Sequence, residues 1–144
     1  MRSIYLIAPS GASLDSKSPL AGIDWLERQG IVIKNADCVH RVYERFAGSD
    51  ELRLNELNDL PKLDSQTLVM AMRGGYGLHR LLPGTKWDAI AKAIQNGLQI
   101  CGHSDFTVFQ LALLAKTGAI TLAGPMLNYD FGRLGDDGAP VRLQ

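Results

Sequence analysis

A serine lies between a short apolar run and a helix-like run, in Gly102-His103-Ser104-Asp105. A serine at a strand-to-helix corner can present its hydroxyl as a nucleophile, and the amides that follow can stabilise an oxyanion. The second glycine of a G-x-S-x-G elbow is missing, because Phe106 occupies that position. Serine is also a favoured helix N-cap and Asp105 suits a first helical turn, so the tetrapeptide alone favours capping over catalysis.

A second stretch with chemical potential is Arg73-Gly74-Gly75-Tyr76-Gly77, which interrupts another apolar run. Glycines expose backbone amides to a ligand, and one of these amides can be the second oxyanion donor beside that of Asp105. Arg73 can hold a substrate carboxylate or simply pair with a surface carboxylate. The stretch is neither a P-loop nor a complete dinucleotide motif, so bound phosphate and a tight structural turn stay open as alternatives.

The remaining polar residues give weaker signals. Cys101 and His103 supply two donors, which do not make a zinc site, and the sequence predicts no metal and no cofactor. His103 adjoins Ser104, and because successive side chains at a corner diverge, we do not expect it to be the base. Solvent-exposed positions are predicted for His40 and His79, and for the helix-face carboxylates Asp24, Glu27, Glu44, Glu51 and Glu56.

Composition limits the classes of function. The chain has 144 residues, 46% hydrophobic and 21% charged, and its 15 basic and 15 acidic residues cancel. This balance provides no electrostatic footprint for nucleic acid or an anionic membrane, and no apolar run is long enough to cross a bilayer. The apolar start runs into Pro9-Ser10-Gly11, which favours a buried strand over a signal peptide. We therefore expect a cytoplasmic protein. Cys38 and Cys101 are predicted to be reduced and buried.

Strand-like and helix-like segments alternate along the chain. Apolar runs predict strands at residues 3–8, 31–33, 67–72, 98–101 and 119–122, and helices at 20–29, 49–60, 87–96 and 105–116, whereas 35–47 is unsettled. Leu111, Leu114 and Ala115 are expected to continue the apolar face of the last helix. Continuous apolar strands separated by helices predict an α/β fold, with an open parallel sheet of about five strands covered by helices on both faces.

This fold class places the candidate residues together. Ligands of open parallel sheets bind beyond the carboxyl ends of the strands. The loops at residues 9–11, 73–77 and 102–105 each follow a predicted strand, so we expect them on one rim of the sheet.

Five motifs occur in the order found in LD-carboxypeptidases, and they lie at residues 7–11, 47–53, 73–77, 102–107 and 124–126. The chain thus resembles this family over about residues 4–126. These muramoyltetrapeptide carboxypeptidases are serine peptidases, and the family includes the microcin-immunity peptidases. The resemblance implies cleavage between an L-centre and a terminal D-amino acid, typically release of D-alanine from murein tetrapeptide during cell-wall recycling.

The resemblance also implies roles for single residues. Ser104 matches the nucleophile. The oxyanion donors match the amide of Asp105 and one from the glycine pair, where Gly75 is preferred over Gly74. Substrate-binding positions are expected at Ser10, Arg73 and Tyr76.

Two features depart from the family pattern. His103 and Ala123 stand where the family has Tyr and His. The Glu and His that complete a Ser-Glu-His triad belong to a C-terminal domain, and no residue here matches them. Residues 1–144 are therefore predicted to be the N-terminal nucleophile-bearing domain, a truncated form or fragment that is inactive alone, with 127–144 the start of an interdomain linker.

Three functions follow as expectations. The first is the N-terminal half of a serine LD-carboxypeptidase whose partner is a murein peptide, and the resemblance allows a homodimer of the longer protein. The second is a microcin-immunity peptidase of the same family. The third is a non-catalytic α/β module whose glycine loops hold a small anion or carboxylate.

Overall fold

Short apolar segments form a single sheet in the computed structural model, which describes residues 2–141. Its strands are β1 (Ser3–Ile7), β2 (Val32–Lys34), β3 (Leu68–Ala71), β4 (Gln99–Gly102) and β5 (Leu122–Ala123). All neighbouring strands are parallel, and their spatial order is β2-β1-β3-β4-β5. The predicted open parallel sheet of five strands is confirmed.

Helices cover both faces of this sheet, as predicted. The α-helices of the described residues are α1 (Lys17–Arg28), α2 (Asp50–Asn58), α3 (Trp87–Gln95) and α4 (Thr107–Thr117). One core joins Val69 and Ile100 of the sheet to α2, α3 and α4, and a second core joins Leu6 to Ile23 and Leu26 of α1. Within residues 2–141 we find no helix long and apolar enough to cross a membrane.

Helix boundaries follow local capping. Helix α1 begins earlier than predicted, because the Asp15 carboxylate accepts hydrogen bonds from the amides of Lys17 at 2.7 Å and Ser18 at 2.8 Å. The predicted N-cap of α2 is confirmed, since Ser49 Oγ accepts the amide of Leu52 at 3.2 Å. Between β4 and α4, a 3₁₀ turn at Ser104–Phe106 occupies the start of the predicted last helix.

The apolar face predicted for α4 is wrong, because Leu111, Leu114 and Ala115 are all exposed. Leu111 is 60% exposed and Leu114 is 48% exposed, whereas Phe109 and Leu113 are fully buried. Helix α4 is apolar on more than one side, so spacing alone did not identify the side that packs against the sheet.

The segment after β5 folds onto the domain before the chain becomes irregular. A π-helix at Leu127–Phe131 packs against α1, where Leu127 is fully buried and the rings of Trp25 and Phe131 lie 5.4 Å apart. The amide of Asn128 donates to the carbonyl of Met72 at 3.0 Å, which fixes the π-helix beside the end of β3. The start of the predicted linker is thus part of the folded body, and residues 142–144 of that linker lie outside the described residues.

Candidate active site

Ser104 stands at a strained corner directly after β4. Its φ is +59°, in the left-handed region, and its side chain is exposed. A non-glycine residue in this region costs about 1–3 kcal/mol and persists only where its surroundings impose it. Neither the 3₁₀ turn nor α4 has a side-chain cap hydrogen bond. Ser104 Oγ forms no hydrogen bond within residues 2–141, so it does not cap the helix that follows.

The glycine loop after β3 lies against this serine. A Cβ built on Gly74 would be 2.8 Å from Ser104 Oγ and 3.1 Å from the Asp105 nitrogen, so only glycine fits. The amide of Gly11 donates to the carbonyl of Gly74 at 3.1 Å. Because a trans peptide points its N–H opposite to its C=O, this bond turns the Gly75 N–H away from Gly11.

Two amides beside Ser104 are left available. Among the described residues, the N–H groups of Gly75 and Asp105 donate to no backbone carbonyl. Gly75 has a φ of +110°, which favours glycine, and it is exposed. A hydroxyl nucleophile next to two free amides is the local chemistry that acyl transfer needs.

The strained corner is anchored on both sides of Ser104. The carboxylate of Asp105 accepts the amide of Leu78 at 3.2 Å, which ties the corner to the glycine loop. On the other side, His103 Nε2 lies 3.1 Å from Asp130 Oδ2, and the same oxygen accepts the amide of Met126 at 2.8 Å. These contacts supply the surroundings that hold Ser104 in its costly conformation.

His103 is thus occupied by Asp130, and no hydrogen bond joins Ser104 Oγ to a histidine among residues 2–141. This agrees with the expectation that His103 is not the base. His40 and His79 are exposed, as predicted. Within the same residues, no group of three or more His, Cys, Asp or Glu side chains is placed to hold a metal ion.

Arg53 braces the rim from below, a role that sequence reasoning missed. Its side chain is fully buried and donates to the carbonyls of Pro9 at 2.6 Å, Gly48 at 3.0 Å and Gly77 at 3.3 Å. An ion pair with Asp50 at 2.6 Å completes its contacts. Burial lowers the pKa of the guanidinium and Asp50 opposes this, so the charge is retained. Arg53 lies in a motif of the family resemblance, which was the available signal.

Glu56 is a second buried brace, and its predicted exposure is wrong. It is 9% exposed, and its carboxylate accepts hydrogen bonds from the Ala8 amide at 2.8 Å, Asn35 at 3.0 Å and Arg41 at 3.0 Å. A carboxylate on a polar helix face reads as solvated in a sequence, whereas here it satisfies the backbone at the end of β1.

The predicted substrate-binding residues occupy different environments. Arg73 is half-buried and donates to the carbonyl of Ala12 at 2.5 Å and to the hydroxyl of Tyr129 at 3.1 Å. Tyr76 is 46% exposed next to Gly75, with the guanidinium of Arg45 at 5.0 Å from its ring centre.

Ser10 is fully buried, and its hydroxyl has no hydrogen-bond partner among the described residues. The side chain lies beneath the rim instead of lining it. A role in substrate binding stays a prediction, and the function proposed below does not use it.

The two cysteines are free and buried, as predicted. Burial raises the pKa of the Cys38 thiol far above its ordinary value, with Glu56 adding to the effect. Burial also raises the pKa of Cys101, and Asp130 adds to that rise. Both groups therefore stay protonated at neutral pH and are poor nucleophiles.

The molecule is thus an α/β domain with an open parallel sheet, and its serine lies at a strained strand-to-helix corner with two free amides beside it. The sequence model of a protein family, the LD-carboxypeptidase N-terminal domain, matches residues 4–124 of this chain. This chain belongs to that peptidase family, S66.

Named relatives agree with this assignment. The chain is 32% identical over 123 residues to the murein tetrapeptide carboxypeptidase of Pseudomonas aeruginosa, covering 85% of this chain and 39% of the relative. It is 33% identical over 111 residues to the microcin C7 self-immunity protein MccF of Escherichia coli, covering 77% of this chain and 31% of the relative.

A solved structure gives the same result for the fold. The crystal structure of muramoyltetrapeptide carboxypeptidase from Oxalobacter formigenes is 38% identical with a TM-score of 0.75, covering 93% of this chain and 43% of that chain. The chain thus spans between 31% and 43% of the length of these relatives.

Proposed function

We propose that this chain is the nucleophile-bearing N-terminal half of a serine LD-carboxypeptidase that releases a terminal D-amino acid, typically D-alanine, from murein tetrapeptide. One observation carries the proposal: the exposed Ser104 hydroxyl at a strained corner, with the free amides of Gly75 and Asp105 beside it. The names of the carboxypeptidase relatives support the substrate class. The setting we propose is murein recycling in the cytoplasm, with a homodimer of the longer protein.

The chemistry starts with attack of Ser104 Oγ on the scissile carbonyl carbon, as the hydroxyl proton passes to a base. The amides of Gly75 and Asp105 stabilise the oxyanion. The C–N bond then breaks, and the amine of the D-residue leaves with the proton. Water hydrolyses the acyl ester and regenerates Ser104.

The base is the component that the proposal assigns outside this chain. An unactivated serine hydroxyl is a weak nucleophile, so the base is essential. The family resemblance assigns it to a His, oriented by a Glu, in the C-terminal part of the longer relatives. We therefore expect this chain alone to hydrolyse substrate negligibly.

The test compares this chain with a completed protein, in which it is continued by the C-terminal part of the Oxalobacter formigenes relative. D-Alanine release from an LD-tetrapeptide is expected from the completed protein and at least about 10³-fold less from the chain alone, since the general base is absent. Adding the C-terminal part as a separate polypeptide controls for a chimera that misfolds. Full activity of the chain alone would overturn the proposal that the general base lies outside this chain.

MccF similarity supports a second candidate, a microcin-immunity type of peptidase. One solved structure carries the name of an MccF complex with aspartyl sulfamoyl adenosine, at 27% identity and a TM-score of 0.80. The discriminating assay offers the completed protein either LD-tetrapeptide or an aminoacyl sulfamoyl adenosine. Faster cleavage of the nucleoside compound would favour this second function.

A further inference from the structure

A polar pocket lies beside the glycine loop, between the start of α1 and the π-helix. Arg73, Ser13, Asn128 and Tyr129 line it, and Asp15 stands at its outer wall. The cavity volume is about 70 Å³, and the pocket opens to solvent on one side. None of these residues takes part in the chemistry proposed above, and only Arg73 is a predicted substrate-binding position.

The guanidinium of Arg73 brings an uncompensated positive charge to this pocket. Its N–H groups reach a carbonyl and a tyrosine hydroxyl, and within residues 2–141 it forms no ion pair. Its Nε is buried and has no hydrogen-bond partner there. An arginine has five N–H donors, so donors remain for a ligand. A half-buried charge with open donors is suited to an anion.

The opposite wall offers a second buried polar group without a partner. Asn128 is 7% exposed, and its amide nitrogen donates to Ser13 Oγ at 2.9 Å. Its Oδ1 is buried and makes no hydrogen bond to the described residues. The Tyr129 hydroxyl accepts from Arg73 and keeps its own proton for a further bond. The pocket therefore presents an unfilled set of donors and one acceptor.

Its position relative to the oxyanion amides limits which part of a substrate it can receive. Nη2 of Arg73 lies 3.3 Å from the position that a Cβ on Gly75 would occupy. In a peptide, the carboxylate of the last residue lies only about 3–4 Å from the preceding carbonyl carbon, as standard bond lengths require. With the scissile carbonyl oxygen at the Gly75 amide, the terminal carboxylate is within reach of Arg73.

Asp15 does not oppose an anion here. Its carboxylate accepts the amides of Lys17 and Ser18 at the start of α1, so its charge is already stabilised by these donors. It is exposed at the rim, whereas Arg73 is the nearer charge to the glycine loop.

We propose that this pocket is the subsite for the released residue, in which Arg73 and Tyr129 donate hydrogen bonds to the terminal carboxylate of a small D-amino acid and Asn128 lines the facing wall. The proposal rests on the proposed carboxypeptidase function, and it explains why a free C-terminus would be required. Arg73 differs in this respect from Arg53, whose N–H groups donate to backbone carbonyls of this chain.

The test is a binding titration of this 144-residue chain, followed by amide chemical shifts. The probes are N-acetyl-D-alanine and its matched carboxamide, N-acetyl-D-alaninamide. We expect the acid to shift the amides of Gly75, Asn128 and Tyr129, and to bind at least about 10-fold more tightly than the carboxamide. Arg73→Gln should remove this preference. Arg80→Gln, an exposed rim arginine paired with Asp50, is the matched control and should retain it.

A second variant protects the test against misfolding of Arg73→Gln. Asn128→Asp keeps the shape of the side chain and adds a negative charge, so it should weaken binding of the acid more than binding of the carboxamide. Equal binding of the two probes, shifts confined to other loops, or an unchanged preference in both variants would overturn the proposal. The completed protein separates the two claims. If it hydrolyses LD-tetrapeptide but binds acid and carboxamide equally, only the subsite proposal is contradicted. If it prefers the acid but does not hydrolyse LD-tetrapeptide, only the proposed function is contradicted.

Discussion

Two corners at the same rim of the sheet each carry a serine, yet they are built in opposite ways. After β1, Ser10 is fully buried, and the backbone around it is held by Arg53 at Pro9 and by Glu56 at Ala8. After β4, Ser104 is exposed, its φ is +59°, and the amide that follows it donates to no backbone carbonyl.

The difference shows that a place at the carboxyl end of a strand does not by itself make a site. The β1 corner is a scaffold, in which buried charges satisfy the backbone and fix the Gly11 amide that orients Gly74. The β4 corner uses that scaffold to keep a strained serine and two amides unsatisfied. Strain and open donors, rather than polarity, distinguish the second corner.

Removing the scaffold should have the largest effect. Arg53→Met removes the side-chain donor from the buried carbonyls of Pro9 and Gly48, whereas Gly77 and Asp50 keep contacts with Arg80. Leaving a buried polar group without its donor costs about 1–3 kcal/mol, so two carbonyls and the lost packing of the side chain amount to about 3–5 kcal/mol. We expect the free energy of unfolding, measured by urea denaturation, to fall by this amount. Arg28→Met, which removes an exposed ion pair with Asp24, should change it by less than about 0.5 kcal/mol. Equal losses would remove the contrast between the corners.

Filling the space between the corners should have the next largest effect. In Gly74→Ala, the new methyl group would stand 2.8 Å from Ser104 Oγ, so the serine or the loop must move. Because the proposed oxyanion donor, the Gly75 amide, is displaced with the loop, we expect kcat for D-alanine release by the completed protein to fall about 10²–10³-fold.

Gly30→Ala is the control for that substitution. Gly30 has a φ of +78° and no atom within 4 Å of a built Cβ, so alanine adds backbone strain without a clash and far from Ser104. Its variant should lose stability and keep its kcat. An active Gly74→Ala protein would contradict the close approach of the two loops.

Relieving the strain should have the smallest effect. Ser104→Gly places glycine where φ is +59°, so we expect the free energy of unfolding to stay equal or to rise by up to about 1 kcal/mol. At a position with an ordinary backbone conformation, a change to glycine costs about 0.4–1 kcal/mol, because the unfolded chain gains conformational freedom. Ser65→Gly, in the turn before β3 at the opposite end of the sheet, is the comparison. If both variants lose the same stability in denaturant titrations, Ser104 is not strained.

The sequence was a good guide where the pattern is local. Continuous apolar strands and capping residues such as Ser49 predicted the parallel sheet and its helices, and the corner at Ser104 followed from them. Hydrogen bonds between buried groups that are distant in the sequence were not predictable. The sequence predicts a solvated carboxylate at Glu56, and only the fold brings the Ala8 amide and Arg41 to it. The π-helix was missed for a similar reason, because its residues find their partner in α1 rather than in a local repeat.

Kinetics of the completed protein test the central claim most directly. D-Alanine release from LD-tetrapeptide is measured for Ser104→Ala and for Ser65→Ala, the same substitution away from the rim, with circular dichroism confirming that both fold. If Ser104 is the nucleophile, its variant loses at least about 10³-fold in kcat, whereas Ser65→Ala stays within about 2-fold of the parent. Retention of kcat in Ser104→Ala would contradict the account.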